Sequence, residues 1–164
     1  MKMIITITWK KKKTQAEPTA AVLATGDFND NVERETLTRV ASFALYQPSA
    51  GDALSPTGLL YNLSGMLPPE RRGTFYYGKD RVWNSFDSIS VCRGMLPGAP
   101  VPCAWQVATN SYEIFSLPQQ RDADGHPLPF HRVRKKDADG VVRSTYMTGY
   151  SDHFPVRVVL QATP

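Results

Sequence analysis

The sequence predicts an α+β domain, on three observations. A short apolar run at residues 21–25 stops at Gly26, residues 32–43 carry a helical pattern behind Asn31, and residues 74–77, 82–91 and 154–160 read as strands. Strands outnumber helices.

Length and composition allow one such domain. With 164 residues the chain can bury a sizeable core but is short for two domains. Hydrophobic residues make up 41% and there are 11 glycines, which excludes disorder throughout. The net charge of +4 equals the contribution of Lys10, Lys11, Lys12 and Lys13, so basicity is local. Residues 1–20 form a basic N-terminal segment and residues 21–164 the body of the domain. The lysine run reads as a solvated arm, with phosphate or membrane-surface contact as the other reading. Met1 to Trp9 alternates apolar residues with Thr like a strand and is too short for a signal peptide; no later stretch reaches membrane-spanning length.

Taken in order, the run 21–25 suits a buried strand whose carboxyl end delivers Asp27 and Asn29. Asn31 can cap the helix at 32–43, where Arg34 with Thr38 and Glu35 with Arg39 lie on polar faces. Pro48, Gly51, Pro56 and Gly58 mark a loop, residues 59–66 make one or two helical turns, and Pro68 and Pro69 end them. Residues 74–77 and 82–91 form a hairpin around Gly78-Lys79-Asp80. In its second strand Phe86, Ser88 and Ser90 share one face while Asp87, Ile89 and Val91 share the other. Asp87 is thus a carboxylate among apolar residues, which is costly without a donor partner.

Residues 94–120 are rich in proline and read as irregular with short strands. Arg121-Asp122-Ala123-Asp124-Gly125 is echoed by Lys136-Asp137-Ala138-Asp139-Gly140. Both lack the remaining ligands of a calcium loop and read as Asp-Gly turns, the second joining strands at 130–135 and 141–147. Residues 154–160 form an apolar final strand with Pro155 near its start. Cys92 and Cys103 are too few for a disulfide scaffold and lack metal-ligand spacing; they read as small buried hydrophobes, with a single bridge between them left open.

Asp27 and Asn29, two apart at a strand end, can face one cleft. Asp27 could orient or deprotonate a water and Asn29 donate to a phosphoryl oxygen, although Gly-Asp-x-Asn is also a common turn composition. Asp152 and His153 precede the last strand, where a carboxylate can bind Mg²⁺ and a histidine can contact a phosphoryl oxygen. Asp87 is the natural acceptor to orient that ring. A capping Asp152, a structural His153 and a locally paired Asp87 are the alternative. His126 and His131 read as structural.

These pieces resemble the endonuclease/exonuclease/phosphatase superfamily. The matching segments are Val22 to Asp30, Trp83 to Val91 and Gly149 to Val156, in the family's order, within residues 22–160. The resemblance implies a two-sheet αβ sandwich and metal-dependent hydrolysis of a phosphodiester or phosphomonoester. It makes Asp27 the water-activating residue, Asn29 its companion, His153 the phosphate-contacting histidine, Asp87 its orienting carboxylate and Asp152 a carboxylate for Mg²⁺ or Mn²⁺. Nucleic acid is among the implied substrates. The family's early Asn, metal-binding Glu and further His have no counterpart in residues 1–20, so the chain resembles the carboxy-terminal half of such a domain. An alternative follows: a catalytically weak half-domain acting through binding, self-association or a chain that supplies the missing half.

Overall fold

A computed structural model describes residues 20–31, 34, 43–46, 60–128, 131–136 and 138–163. The expected opening strand and the lysine run lie outside the described residues, as does the expected helix at 32–43 apart from Arg34 and Phe43, and at Phe43 the helix expectation is corrected, because that residue opens a strand. The described chain is strand-rich, with short 3₁₀ turns and several small sheets.

The main sheet holds β1 (Leu23–Asp27), β2 (Phe43–Leu45), β3 (Leu60–Asn62) and β6 (Asp87–Cys92) in the order β1-β6-β3-β2. β6 pairs antiparallel with β1 and β3, while β2 and β3 run parallel. β1 is an edge strand among the described residues, so its burial alternates and Leu23 is 41% exposed. The expectation of a buried strand at 21–25 is corrected accordingly. Only Val22, just before it, is fully buried.

The segment 59–66 divides, against the expectation of helical turns throughout. Leu60, Tyr61 and Asn62 are buried between two strand neighbours, and a 3₁₀ turn at Leu63–Met66 begins only after Asn62, whose side chain accepts the Ser64 amide at 2.9 Å. Gly65 is required there, because a Cβ would lie 1.8 Å from the Tyr46 carbonyl oxygen.

The expected strand 82–91 also divides. Its first part, β5 (Val82–Asn84), pairs with β4 (Phe75–Tyr77) in the predicted hairpin; its second part is β6, which takes β1 as neighbour. The switch occurs at Ser85 and Phe86. The Ser85 amide donates to Asn31 Oδ1 at 2.7 Å and the Phe86 carbonyl accepts the Phe28 amide at 2.8 Å, so the chain changes partners there.

β7 (Trp105–Val107) and β8 (Glu113–Ile114) are the short strands expected in 94–120. β9 (His131–Lys136) and β10 (Val142–Thr148) form the expected hairpin around the second Asp-Gly turn. The single final strand is corrected to two: β11 (Val156–Arg157) pairs with β8, and β12 (Leu160–Ala162) with β7. The intervening Val158 packs toward the core while Val159 is exposed. Leu60, Leu63, Ile89, Val91, Met95, Leu96, Val107 and Tyr112 build that core around β3 and β6. No helix among the described residues is long and apolar enough to cross a membrane.

Candidate active site

β1 and β6 are in antiparallel register with Asp27 directly opposite Asp87. Like charges opposed across a rung are destabilising without a cation, so this juxtaposition calls for one. His153 Nδ1 lies 2.6 Å from Asp87 Oδ2, with side chains 20% and 19% exposed. The side-chain ligand atoms of Asp27, Asp87 and His153 all fall within 4.8 Å of one another.

Backbone contacts hold each member. The Asp87 amide donates to Thr74 Oγ1 at 3.1 Å, and the buried Thr74 uses its own amide on the Asn84 carbonyl and its carbonyl on the Phe154 amide, both at 2.8 Å. Thr74 therefore ties β4, β6 and the chain after His153 into one frame. His153 bridges Phe75 in an antiparallel pair, and its ring rests 4.8 Å from the Phe75 ring centroid and 6.2 Å from that of Phe86. Its amide donates to Ser151 Oγ at 3.0 Å, which fixes the turn that carries it.

Beyond Asp27 the strand pattern stops. Asn29 adopts φ 52°, a left-handed conformation that asparagine tolerates better than most residues, and its amide donates to Asp27 Oδ1 at 2.9 Å. Gly-Asp-x-Asn is therefore a turn, and the carboxylate that anchors it belongs to the cluster. Asp30 accepts the Asn31 amide and pairs with Arg34 Nε at 3.3 Å. Asn31 spans to the hairpin, donating from Nδ2 to Asn84 Oδ1 at 3.1 Å.

Of the five residues singled out in the sequence, the structure brings Asp27, Asp87 and His153 together. Asn29 sits on the adjoining turn, exposed. Asp152 is exposed, next to His153 in the chain and outside the three-residue cluster. Sequence reasoning missed Thr74 and gave Asn31 only a helix-capping role. Neither carries a signal, because a Thr before an aromatic strand and an Asn after Asp are ordinary. Tyr112 was missed too. Burial, followed by the negative charge of Asp87, pushes its phenol above the ordinary value, and its buried hydroxyl has no partner among the described residues.

Asp122, Asp124 and His126 form a second cluster with ligand atoms within 4.8 Å. Its contacts are those of the expected turn: Asp122 Oδ1 accepts the amides of His126 at 2.9 Å and Asp124 at 3.0 Å, while the His126 ring stacks on Tyr76 at 3.6 Å. Burial tends to raise the Asp122 carboxyl, but those amides and the His126 ring outweigh it and hold it below its ordinary value.

No curated protein and no solved structure matches the chain. The model of the Endonuclease/Exonuclease/phosphatase family matches residues 4–162, a wider span than the 22–160 that carries the motifs. With the match running over nearly the whole sequence, the chain belongs to the Endonuclease/Exonuclease/phosphatase family.

Proposed function

We propose that the chain hydrolyses a phosphodiester or phosphomonoester by an activated water, with Asp27, Asn29, Asp87 and His153 as its reacting and positioning groups. The family implies metal-dependent phosphoester hydrolysis in general. The observation that carries the finer reading is the Asp87–His153 pair at 2.6 Å, facing Asp27 across the β1–β6 rung.

The donor set suits a hard divalent cation. Carboxylate oxygens are the ligands such ions prefer, and two carboxylates opposed across a rung are stabilised by positive charge between or beside them. Asp152, exposed beside His153, would add the further carboxylate for Mg²⁺ or Mn²⁺. When bound, the ion supplies Lewis-acid stabilisation of charge on the phosphoryl oxygens.

The residues then divide the work. Asp87 occupies His153 Nδ1 and so fixes the ring with Nε2 as the atom left to meet a phosphoryl oxygen. Protonated, that ring donates to the oxygen and its charge is balanced by Asp87 behind it. Asp27, anchored through Oδ1 by the Asn29 amide, orients the water and receives its proton. Asn29 follows within two residues, where its side-chain amide can donate to developing negative charge.

Hydrolysis of bis(4-nitrophenyl) phosphate and 4-nitrophenyl phosphate, with Mg²⁺ or Mn²⁺ and then with excess chelator, tests the reading. Turnover should need the metal and fall about 10²–10⁴-fold in His153→Ala and in Asp27→Asn. Equal rates in wild type and both variants would refute the assignment. Absence of turnover under all of these conditions would refute it as well.

A further inference from the structure

Cys92 and Cys103 are reactive groups that phosphoester chemistry does not use. Both are buried and free, and their sulfurs lie 3.8 Å apart. Cys92 ends β6 and Cys103 follows the proline-rich residues 97–102, so their contact pins an irregular loop to the main sheet. They are the two cysteines of the chain, so no other pairing within it competes.

The backbone of each is fixed by contacts that do not involve sulfur. The Cys92 amide donates to the Val22 carbonyl at 2.9 Å, the Cys103 amide to the Gly94 carbonyl at 2.8 Å, and Thr163 Oγ1 to the Cys103 carbonyl at 2.7 Å. The ends of the segment 92–103 are therefore brought together before any covalent bond is made. Gly94 makes the room. A Cβ there would lie 2.6 Å from Cys103 Sγ, so a larger residue would displace the sulfur from its place beside Cys92.

The surroundings suit a disulfide as well as a dithiol. The Ala20 carbonyl accepts from Cys92 Sγ at 3.5 Å and from Cys103 Sγ at 3.3 Å, while the Val22 amide donates to Cys92 Sγ at 3.4 Å. Oxidation keeps the sulfur that accepts from Val22 and removes the S–H donors to Ala20. Ala20 is only half-buried, so water can replace them at its carbonyl. The sulfurs must approach by roughly 1.8 Å to reach the length of an S–S bond, which modest rotations about the two Cα–Cβ bonds supply.

We propose that Cys92 and Cys103 are a disulfide-forming pair, which joins the end of β6 to the loop after residue 97 when the chain meets a small disulfide such as oxidised glutathione. The inference does not rest on the phosphoester reading, because Asp27 and Asp87 lie at the other end of the β1–β6 ladder from Cys92. Two exchange steps make the bond. One cysteine thiolate attacks the oxidant, forming a mixed disulfide and expelling a glutathione thiolate; the other cysteine thiolate then attacks the protein sulfur of that mixed disulfide and expels the second. The protons of the two protein thiols end on the expelled thiolates, so one oxidised glutathione becomes two reduced ones. Burial sets the route. It pushes the Cys103 thiol up to about 12, so the folded chain offers little thiolate and exchange runs through the opened chain, during folding or local unfolding.

Refolding the reduced, urea-unfolded full chain in glutathione buffers, followed by alkylation in denaturant and mass analysis, tests the pair. An oxidising buffer should give a monomer about 2 Da lighter than the reduced chain, with no alkylatable thiol. Trypsin, which cuts between the two cysteines at Arg93, should release their peptides still linked. The equilibrium against reduced glutathione, reached from both the reduced and the oxidised chain, should lie about 30- to 1,000-fold further toward the bridge when folded than in urea, the ratio that typical disulfide stabilisation implies. Gly94→Ala should cut that ratio about tenfold by displacing Cys103 Sγ. Should that variant fail to fold, the wild-type ratio decides the matter.

A refolded chain that keeps two alkylatable thiols would overturn the inference. So would glutathione retained on either cysteine in place of the bridge, a link to a second copy, or equal equilibria for the folded and unfolded chain.

Discussion

Asp87→Asn tests whether the carboxylate works through the ring it touches. The substitution keeps the shape of the side chain but replaces one acceptor oxygen with a donor, so the His153 ring loses the charged acceptor that orients it. Phosphoesterase activity should fall about 10²-fold or more, and adding Asp87→Asn to His153→Ala should cost little further. A full additional loss in the double variant would show that Asp87 does not act through His153. At Asn29 the backbone makes the test. With φ 52°, Asn29→Gly should leave stability within a few tenths of a kcal/mol, while Asn29→Val should cost roughly 1–3 kcal/mol in denaturant unfolding. Equal midpoints for the two variants would contradict the strained-turn account. Asp87 was legible in the sequence because a carboxylate on an apolar strand face needs a partner, and the partner proved to be His153. Thr74 was not. Its importance comes from long-range contacts with Asp87, Asn84 and Phe154, none of which leaves a local pattern.

Individual strands were legible where a strand keeps one neighbour, and obscure where it changes neighbours. Residues 82–91 have one continuous strand-like pattern, but Asn31 and Phe28 take the hydrogen bonds of Ser85 and Phe86 and turn the chain from the hairpin into the main sheet. The same holds for 154–160, which is shared between β8 and β7. Residues 59–66 misled for another reason: an apolar run that short fits helix or strand, and the neighbours β2 and β6 decide. The splice after β3 is sharp enough to test. Gly65→Ala places a methyl 1.8 Å from the Tyr46 carbonyl oxygen, a backbone atom that cannot rotate away. The loss of stability should reach or exceed the roughly 1–3 kcal/mol typical of overpacking, read as a lower urea midpoint with unchanged slope. At the frame of the site, Thr74→Val should cost about 1–3 kcal/mol by leaving the Asp87 amide without its acceptor, and Thr74→Ser should recover most of it. If valine were tolerated as well as serine, the Thr74 hydroxyl would not be what secures β6 to β4.

At the scale of the whole molecule, the core carries acids that must stay neutral, and this sets its behaviour in alkali. Cys92 and Cys103 are buried with their sulfurs 3.8 Å apart, and both are free. Burial, then the neighbouring Cys92, pushes the Cys103 thiol from an ordinary 9.0 up to about 12. Tyr112 is raised from 10.0 by burial and by Asp87. For both groups the folded state keeps a proton that the unfolded chain releases earlier. Stability is therefore fully present below the unfolded values and declines as pH rises from about 9 toward 12 for the thiol, and from 10 upward for the phenol. Thermal midpoints should hold steady between pH 7 and 8.5 and then fall. Cys103→Ala should flatten the early part of the fall and Tyr112→Phe the later part. Because the Tyr112 hydroxyl lacks a hydrogen-bond partner among the described residues, Tyr112→Phe should cost little at pH 7. Cys103 should also resist alkylation at pH 8 until denaturant is added, since a thiol held that high offers almost no thiolate and is 1% exposed. Rapid labelling of native Cys103, or midpoints level to pH 11 in the wild type, would show that these groups reach water and that the core around β6 is open.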